Sequence, residues 1–221
     1  MKHNFQLSKI AASLAVMGGV VFVSSQVMAA TPVAGTNISN VATASYTDNT
    51  GTTRTVTSNE VKTVVEQVGS FTLVQDRSVT TVPNGQATMS HILTNTGNGT
   101  DTFTISLADL DNHASGSTFD FASDKFAVYI DKNKDGVPDD AVNLNAPGKT
   151  IELQAGEDVG LVVVATTPNT ATTGQFDKLQ LTATASKTNL YSASSINNTD
   201  TVTITSGAVV TITKAASIRA C

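Results

Sequence analysis

The chain has 221 residues, room for one full domain and a fragment or for two small domains. Charged side chains make up 14% and hydrophobic ones 40%, which excludes both a highly charged disordered tail and a membrane bundle. The net charge is −5 and the 13 Lys and Arg are scattered, which argues against nucleic acid, whose phosphates call for a clustered basic face.

Residues 1–29 read as a secretory signal. Lys2 and Lys9 give a positive start, residues 10–23 form an apolar run, and Val27-Met28-Ala29 offers the small-residue pattern of a cleavage site. The run is short for a bilayer core of about 30 Å, so a membrane anchor is the weaker reading. No later run is long and apolar enough to span, so the mature chain is expected to have no transmembrane segment. The expected location is outside the cytoplasm, secreted or held at the cell surface or outer membrane. The sole cysteine is the last residue, Cys221, so no disulfide can form within the chain.

Beyond the signal the period is two. Thr accounts for 35 residues, and Thr favours strands. Phe103, Ile105 and Leu107 alternate with polar neighbours, as do Phe126, Val128 and Ile130, and later Leu179, Leu181, Ala183 and Ala185. Turn signals separate these runs at Pro83-Asn84-Gly85, at residues 95–99, at Ala146-Pro147-Gly148 and at Pro168-Asn169. Short strands between such turns predict an all-β fold, an antiparallel β-sandwich preceded by a β-hairpin.

The chain also repeats itself. Ala42-Thr43-Ala44-Ser45 returns as Ala183-Thr184-Ala185-Ser186, a separation of 183 − 42 = 141. Thr72 matches Thr211 at 211 − 72 = 139, and Ser78-Val79 matches Ser217-Ile218 at the same spacing. The predicted organisation is a closing-type hairpin over 30–68, a complete unit over 69–206, and the opening strand of a further, truncated unit over 207–221. A lone hairpin is marginal in water and must join a sheet. Its Ile38, Ala42, Ala44 and Tyr46 share one face by alternation, with Val61 and Val65 on the return strand. Docking on the sandwich of its own chain, across the short Gly69-Ser70 link, is the expectation. An open edge on a neighbouring molecule is the alternative.

Residues 89–103, with Asn95-Thr96-Gly97-Asn98 at their centre, resemble the Asn-Thr-Gly-Asn hairpin of bacterial surface repeats. These are the "conserved repeat" modules grouped as domain of unknown function 11 and its relatives. Residues 38–44 and 57–61 resemble that family's closing-hairpin phrases. The resemblance implies Ig-like sandwiches strung along exported envelope proteins, with further repeat domains of the same polypeptide as partners. Other envelope proteins or surface glycans are further partners it allows. It brings no catalytic residues, and no enzyme is expected.

One stretch carries chemistry. Asp131, Asn133 and Asp135 stand at loop positions one, three and five, and Gly136 at six permits a sharp turn. That turn would bring round the Val137 carbonyl, and Asp139 or Asp140 would complete a calcium shell. The run resembles the Asp-Gly-x-Pro-Asp calcium loops of thrombospondin-type repeats. It is no EF-hand, because the twelfth position is Val142 rather than Glu. A solvated, metal-free turn is the alternative, since Asp, Asn and Gly dominate turns. Five oxygen-bearing side chains in ten positions, whose carboxylates repel without a cation, favour the metal.

The remaining candidates are weaker. His91 lies in an alternating strand and reads as a packed residue, and His113 is isolated from it. Asp109 and Asp111 read as solvated loop carboxylates. The reading is thus a structural or adhesive envelope module, with a carbohydrate-binding or accessory domain of a larger secreted hydrolase as the alternative.

Overall fold

The structure, a computed structural model, describes residues 31–110 and 116–207. The signal reading of residues 1–29, most of the proposed opening strand at 207–221, and Asp111 and His113 lie outside the described residues. Among the described residues no helix is long and apolar enough to cross a membrane, which leaves β-barrels unaddressed.

Two short sheets come first. β1 (Asn37–Asn40) pairs with β4 (Val61–Val64), and β2 (Thr43–Thr47) pairs with β3 (Thr53–Thr57), both antiparallel. They form one two-stranded ribbon. Two residues separate β1 from β2 but three separate β3 from β4, so the return strand changes phase at Ser58 to Glu60. Beyond that step, Val61 shares the face of Ile38 and Val56 shares the face of Ala44 and Tyr46.

The sandwich follows. Its strands are β5 (Phe71–Val74), β6 (Arg77–Thr81), β7 (Gln86–Asn95), β8 (Asp101–Asp109), β9 (Phe126–Asp131), β10 (Ile151–Leu153), β11 (Asp158–Thr166), β12 (Phe176–Ala185) and β13 (Ser195–Ile204). One sheet runs β5-β7-β11-β9 and the other β10-β8-β12-β13-β6. The first has the A-B-E-D order of an immunoglobulin sheet, and β8-β12-β13 the C-F-G order of its partner. The fold is therefore an Ig-like β-sandwich. The first strand divides between the sheets: β5 pairs antiparallel with β7, and β6 pairs parallel with β13.

The expected alternation is visible in burial. β12 buries Asp177, Leu179, Leu181, Ala183 and Ala185 and leaves the residues between them half-exposed. Phe103, Leu93, Leu161, Leu179 and Leu181 are fully enclosed. Each such side chain contributes about 1.5–3 kcal/mol relative to exposure. Phe71 of β5 reaches across to Phe103 of β8, ring centroids 5.1 Å apart, closing one end of the core.

The ribbon does not dock on this sandwich. Ile38, Tyr46, Val56 and Val61 are each 54–59% exposed, so the expected intrachain docking is corrected. The reason lies in how the ribbon is attached. Asn98 is nearly buried, accepts a hydrogen bond from the Val68 N–H at 2.7 Å, and donates to the carbonyls of Glu66 (3.0 Å) and Pro32 (3.2 Å). The Ala34 N–H donates to the Asn98 carbonyl at 2.8 Å. Both ends of the ribbon are thus fastened at one residue, and the Gly69-Ser70 link is not a free hinge.

Candidate functional site

The acidic loop leaves β9 at Asp131, which is 1% exposed. Its Oδ1 accepts from the Asp135 N–H at 3.1 Å and its Oδ2 from the Gly136 N–H at 2.9 Å. Asn133 Oδ1 also accepts from the Asp135 N–H, at 3.2 Å, and its Nδ2 donates to Asp135 Oδ2 at 3.0 Å. The Val137 N–H donates to Asp135 Oδ1 at 2.8 Å. Asp131, Asn133 and Asp135 are therefore wound round one tight turn, which a φ of 84° at Gly136 makes possible.

The other proposed ligands sit differently. Asp139 folds back so that its carboxylate accepts from the Lys132 N–H, and its own N–H donates to the Ile130 carbonyl. Asp140 accepts from the Val142 N–H at 2.9 Å. Val137 has its side chain in solvent. Lys134 leaves the loop to meet Asp158 of β11, Nζ to Oδ1 2.7 Å. β11 also supplies the floor: a Cβ at Gly160 would overlap the Asp131 carbonyl oxygen.

The carboxylates that converge, among the described residues, are Asp109, Asp120 and Asp177, an oxygen from each lying within 4.8 Å of the others. Asp177 is fully buried on the inward side of β12 and accepts from the N–H groups of Phe121 (2.9 Å) and Lys178 (2.7 Å). Burial pushes its pKa up, against the opposing pull of hydrogen bonds from Ser117 and those amides. Asp109 is a half-buried strand terminus and not the solvated loop residue expected of it. An available signal was missed. Asp109 continues the inward series Phe103, Ile105, Leu107, and Asp177 begins the series Leu179, Leu181, Ala183.

Two more polar pairs matter to the sandwich, one buried within it and one half-buried at its edge. His91 Nε2 lies 2.9 Å from Asp200 Oδ2, and its Nδ1 faces the Asn198 amide at 3.2 Å. Tyr191 donates its hydroxyl to Asp101 Oδ2 at 2.7 Å, and burial first and that carboxylate second push its pKa up. His91 thus packs as expected, within a network that alternation alone did not reveal.

No family model and no curated protein matches the chain. Solved structures do. A family 123 glycoside hydrolase from Clostridium perfringens aligns with 60% of this chain and 23% of its own, at 8% identity and a TM-score of 0.41. The periplasmic chaperone SfaE aligns over 64% and 60%, at 10% identity and a TM-score of 0.39. The chaperone–tip adhesion subunit complex CsuC–CsuE from Csu pili of Acinetobacter baumannii aligns over 61% and 57%, at 12% identity and a TM-score of 0.35. In all three the chain spans less than two thirds of the other's length. Likenesses this distant say nothing about what the chain binds or does.

Proposed function

We propose that the chain is a non-catalytic structural or adhesive module of an exported bacterial envelope protein, of the "conserved repeat" kind, stiffened by calcium in the 131–140 loop. The observation that carries this is the Asn98 joint. A ribbon whose Ala42-Thr43-Ala44-Ser45 returns at the end of β12 is fixed, through both its ends, to a complete sandwich, as modules in series would be. Asp131, Asn133 and Asp135 are the residues that would hold the cation, with Asp139 the nearest further carboxylate along the loop. Calcium there would take the place of the loop amides that now donate to the Asp131 and Asp135 carboxylates and would draw those oxygens together. Protease treatment of intact cells of the source organism should remove the protein while sparing a periplasmic marker. Survival of the protein alongside that marker would overturn the surface assignment.

A specific observation favours a second reading. A cleft of about 690 Å³ at one end of the sandwich is lined by Thr118, Asp120, Lys125, Asn169 and Thr170, polar groups that suit sugar hydroxyls. Binding on a glycan array that is lost in Asp120→Ala with Asn169→Ala would select the carbohydrate-binding role instead.

A further inference from the structure

The two edges of the ribbon are built differently. The return edge, β3 and β4, carries Arg54, Glu60 and Lys62, and its extra residue at Ser58 to Glu60 makes a bulge. Charges and bulges are what keep an exposed strand from pairing with another chain. The first edge has neither. Residues 31–47 contain no charged side chain, and β1 and β2 run on in one phase across Val41 and Ala42. Their Ile, Val, Thr and Tyr residues suit a strand.

The main chain of this unguarded edge points outward at alternate residues. The Thr36 carbonyl accepts from the Val65 N–H, both main-chain groups of Ala42 meet Ser58, and the Asp48 N–H donates to the Thr52 carbonyl. Even-numbered residues thus bond to the return strand, so Asn37, Ser39, Val41, Thr43, Ser45 and Thr47 turn their N–H and C=O groups away from it. Among the described residues no strand pairs with that side. Nor does the edge swing freely. Besides the Asn98 joint, Gln67 Nε2 donates to the Thr100 carbonyl at 2.9 Å, and Lys187 Nζ donates to Gln67 Oε1 at 3.0 Å. A Cβ at Gly69 would overlap the Tyr191 ring. The ribbon is therefore held in one position, while two strands alone are marginal in water.

The edge is complementary to itself. Residues 37 and 47 lie equally far from Ala42, so two copies set antiparallel about Ala42 pair along the whole of β1 and β2. Val41 then faces Thr43 of the second copy, Ser39 faces Ser45 and Asn37 faces Thr47, each outward-pointing residue meeting another. Ile38 faces Tyr46 and Asn40 faces Ala44 in the closer pairs that share no hydrogen bonds. No like charges oppose one another in this register. We propose that two copies of the chain join in this way, β1 and β2 against β2 and β1, into one four-stranded sheet. The same surface serves both copies, so the contact closes at a dimer. Each ribbon is fastened at its Asn98 end, which sets the two sandwiches at opposite ends of a shared sheet about 34 Å long. The dimer goes beyond the reading as an envelope module and does not rest on it.

Sedimentation velocity on the purified full chain tests the proposal. Mass should rise with concentration from one copy to two and stop there. Val41→Lys with Thr43→Lys sets like charges opposite each other twice and should give a monomer with unchanged sandwich melting. Val41→Lys with Thr43→Glu sets opposite charges in the same places and should restore the dimer. Ala42→Cys in a Cys221→Ser background should oxidise to a disulfide-linked dimer, its facing Cα atoms being about 4.5 Å apart. Ala44→Cys in that background should not, because the two copies of residue 44 stand about 14 Å apart along the strands. A wild-type monomer at every concentration, or growth beyond two copies, would overturn the proposal. So would a Lys–Lys variant that still dimerises, a Lys–Glu variant that stays monomeric, or cross-linking at residue 44 as ready as at residue 42.

Discussion

His91 Nε2 and Asp200 Oδ2 lie 2.9 Å apart with no solvent exposure on either side chain, linking β7 of one sheet to β13 of the other. Asp200 also accepts from the Arg77 N–H at 3.1 Å, where the first strand has just changed sheets. The pair therefore ties both sheets and the parallel edge strand together at one point. Asp200→Ala or His91→Leu should each cost about 3–5 kcal/mol, because either leaves a buried polar partner unsatisfied. The double change to leucine should cost less than the sum of the two singles. Urea unfolding of the three variants measures it, and strict additivity would show that the contact carries no coupling.

Asp177 gives the sandwich a pH dependence of definite sign. Burial raises its folded-state pKa above the ordinary 3.8, so the folded form holds the proton more tightly than the unfolded chain. Its contribution is most favourable below about pH 3.8 and falls as pH rises through the raised folded value. Asp177→Asn should flatten that part of the stability profile, relative to wild type, in denaturant titrations across the acid range. A profile that keeps the same slope in the variant would assign the dependence to other carboxylates.

Calcium should raise the melting temperature. A ligand that binds only the folded state at a hundredfold excess over its Kd contributes about 2.7 kcal/mol, or roughly 5–10 °C for a domain of this size. Asp131→Ala with Asp135→Ala should abolish the response. Calorimetry with calcium and with chelator decides it, and an equal shift in the double variant would move the ion elsewhere.

Gly160→Ala probes the same loop from beneath. The added methyl would overlap the Asp131 carbonyl oxygen, so β9 and β11 must separate locally at a cost of about 1–3 kcal/mol. Chemical denaturation should show that loss even in chelator. Unchanged stability would mean that Asp131 is not held as close as its pairing places it.

Asn98→Ala should loosen the ribbon and spare the sandwich. It removes one acceptor and two donor contacts from the joint, leaving the Val68 N–H without its partner. Amide exchange at Val68 should accelerate about tenfold or more, the scale set by about 1–3 kcal/mol for an orphaned buried group. Exchange at Leu181 should not change, since β12 is paired on both edges.

Period-two alternation is a local property of extended backbone, so the sequence alone settled which way the side chains of the clearest alternating runs point. It put Leu179, Leu181 and Ala183 inward, put Ile38, Ala42 and Tyr46 on one face of the ribbon, and marked the turns between strands. The Asp/Asn/Gly spacing after β9 likewise announced a tight loop, because those residue types make such turns from their own side chains. Which inward residues meet was not legible. His91 and Asp200 are 109 positions apart and come together only because β7 and β13 occupy facing sheets. Asp109, Asp120 and Asp177 converge for the same reason, and the ribbon stands clear because Asn98 fastens its base. Pairing order and sheet stacking are long-range choices made by the whole core at once, and no window of sequence contains them.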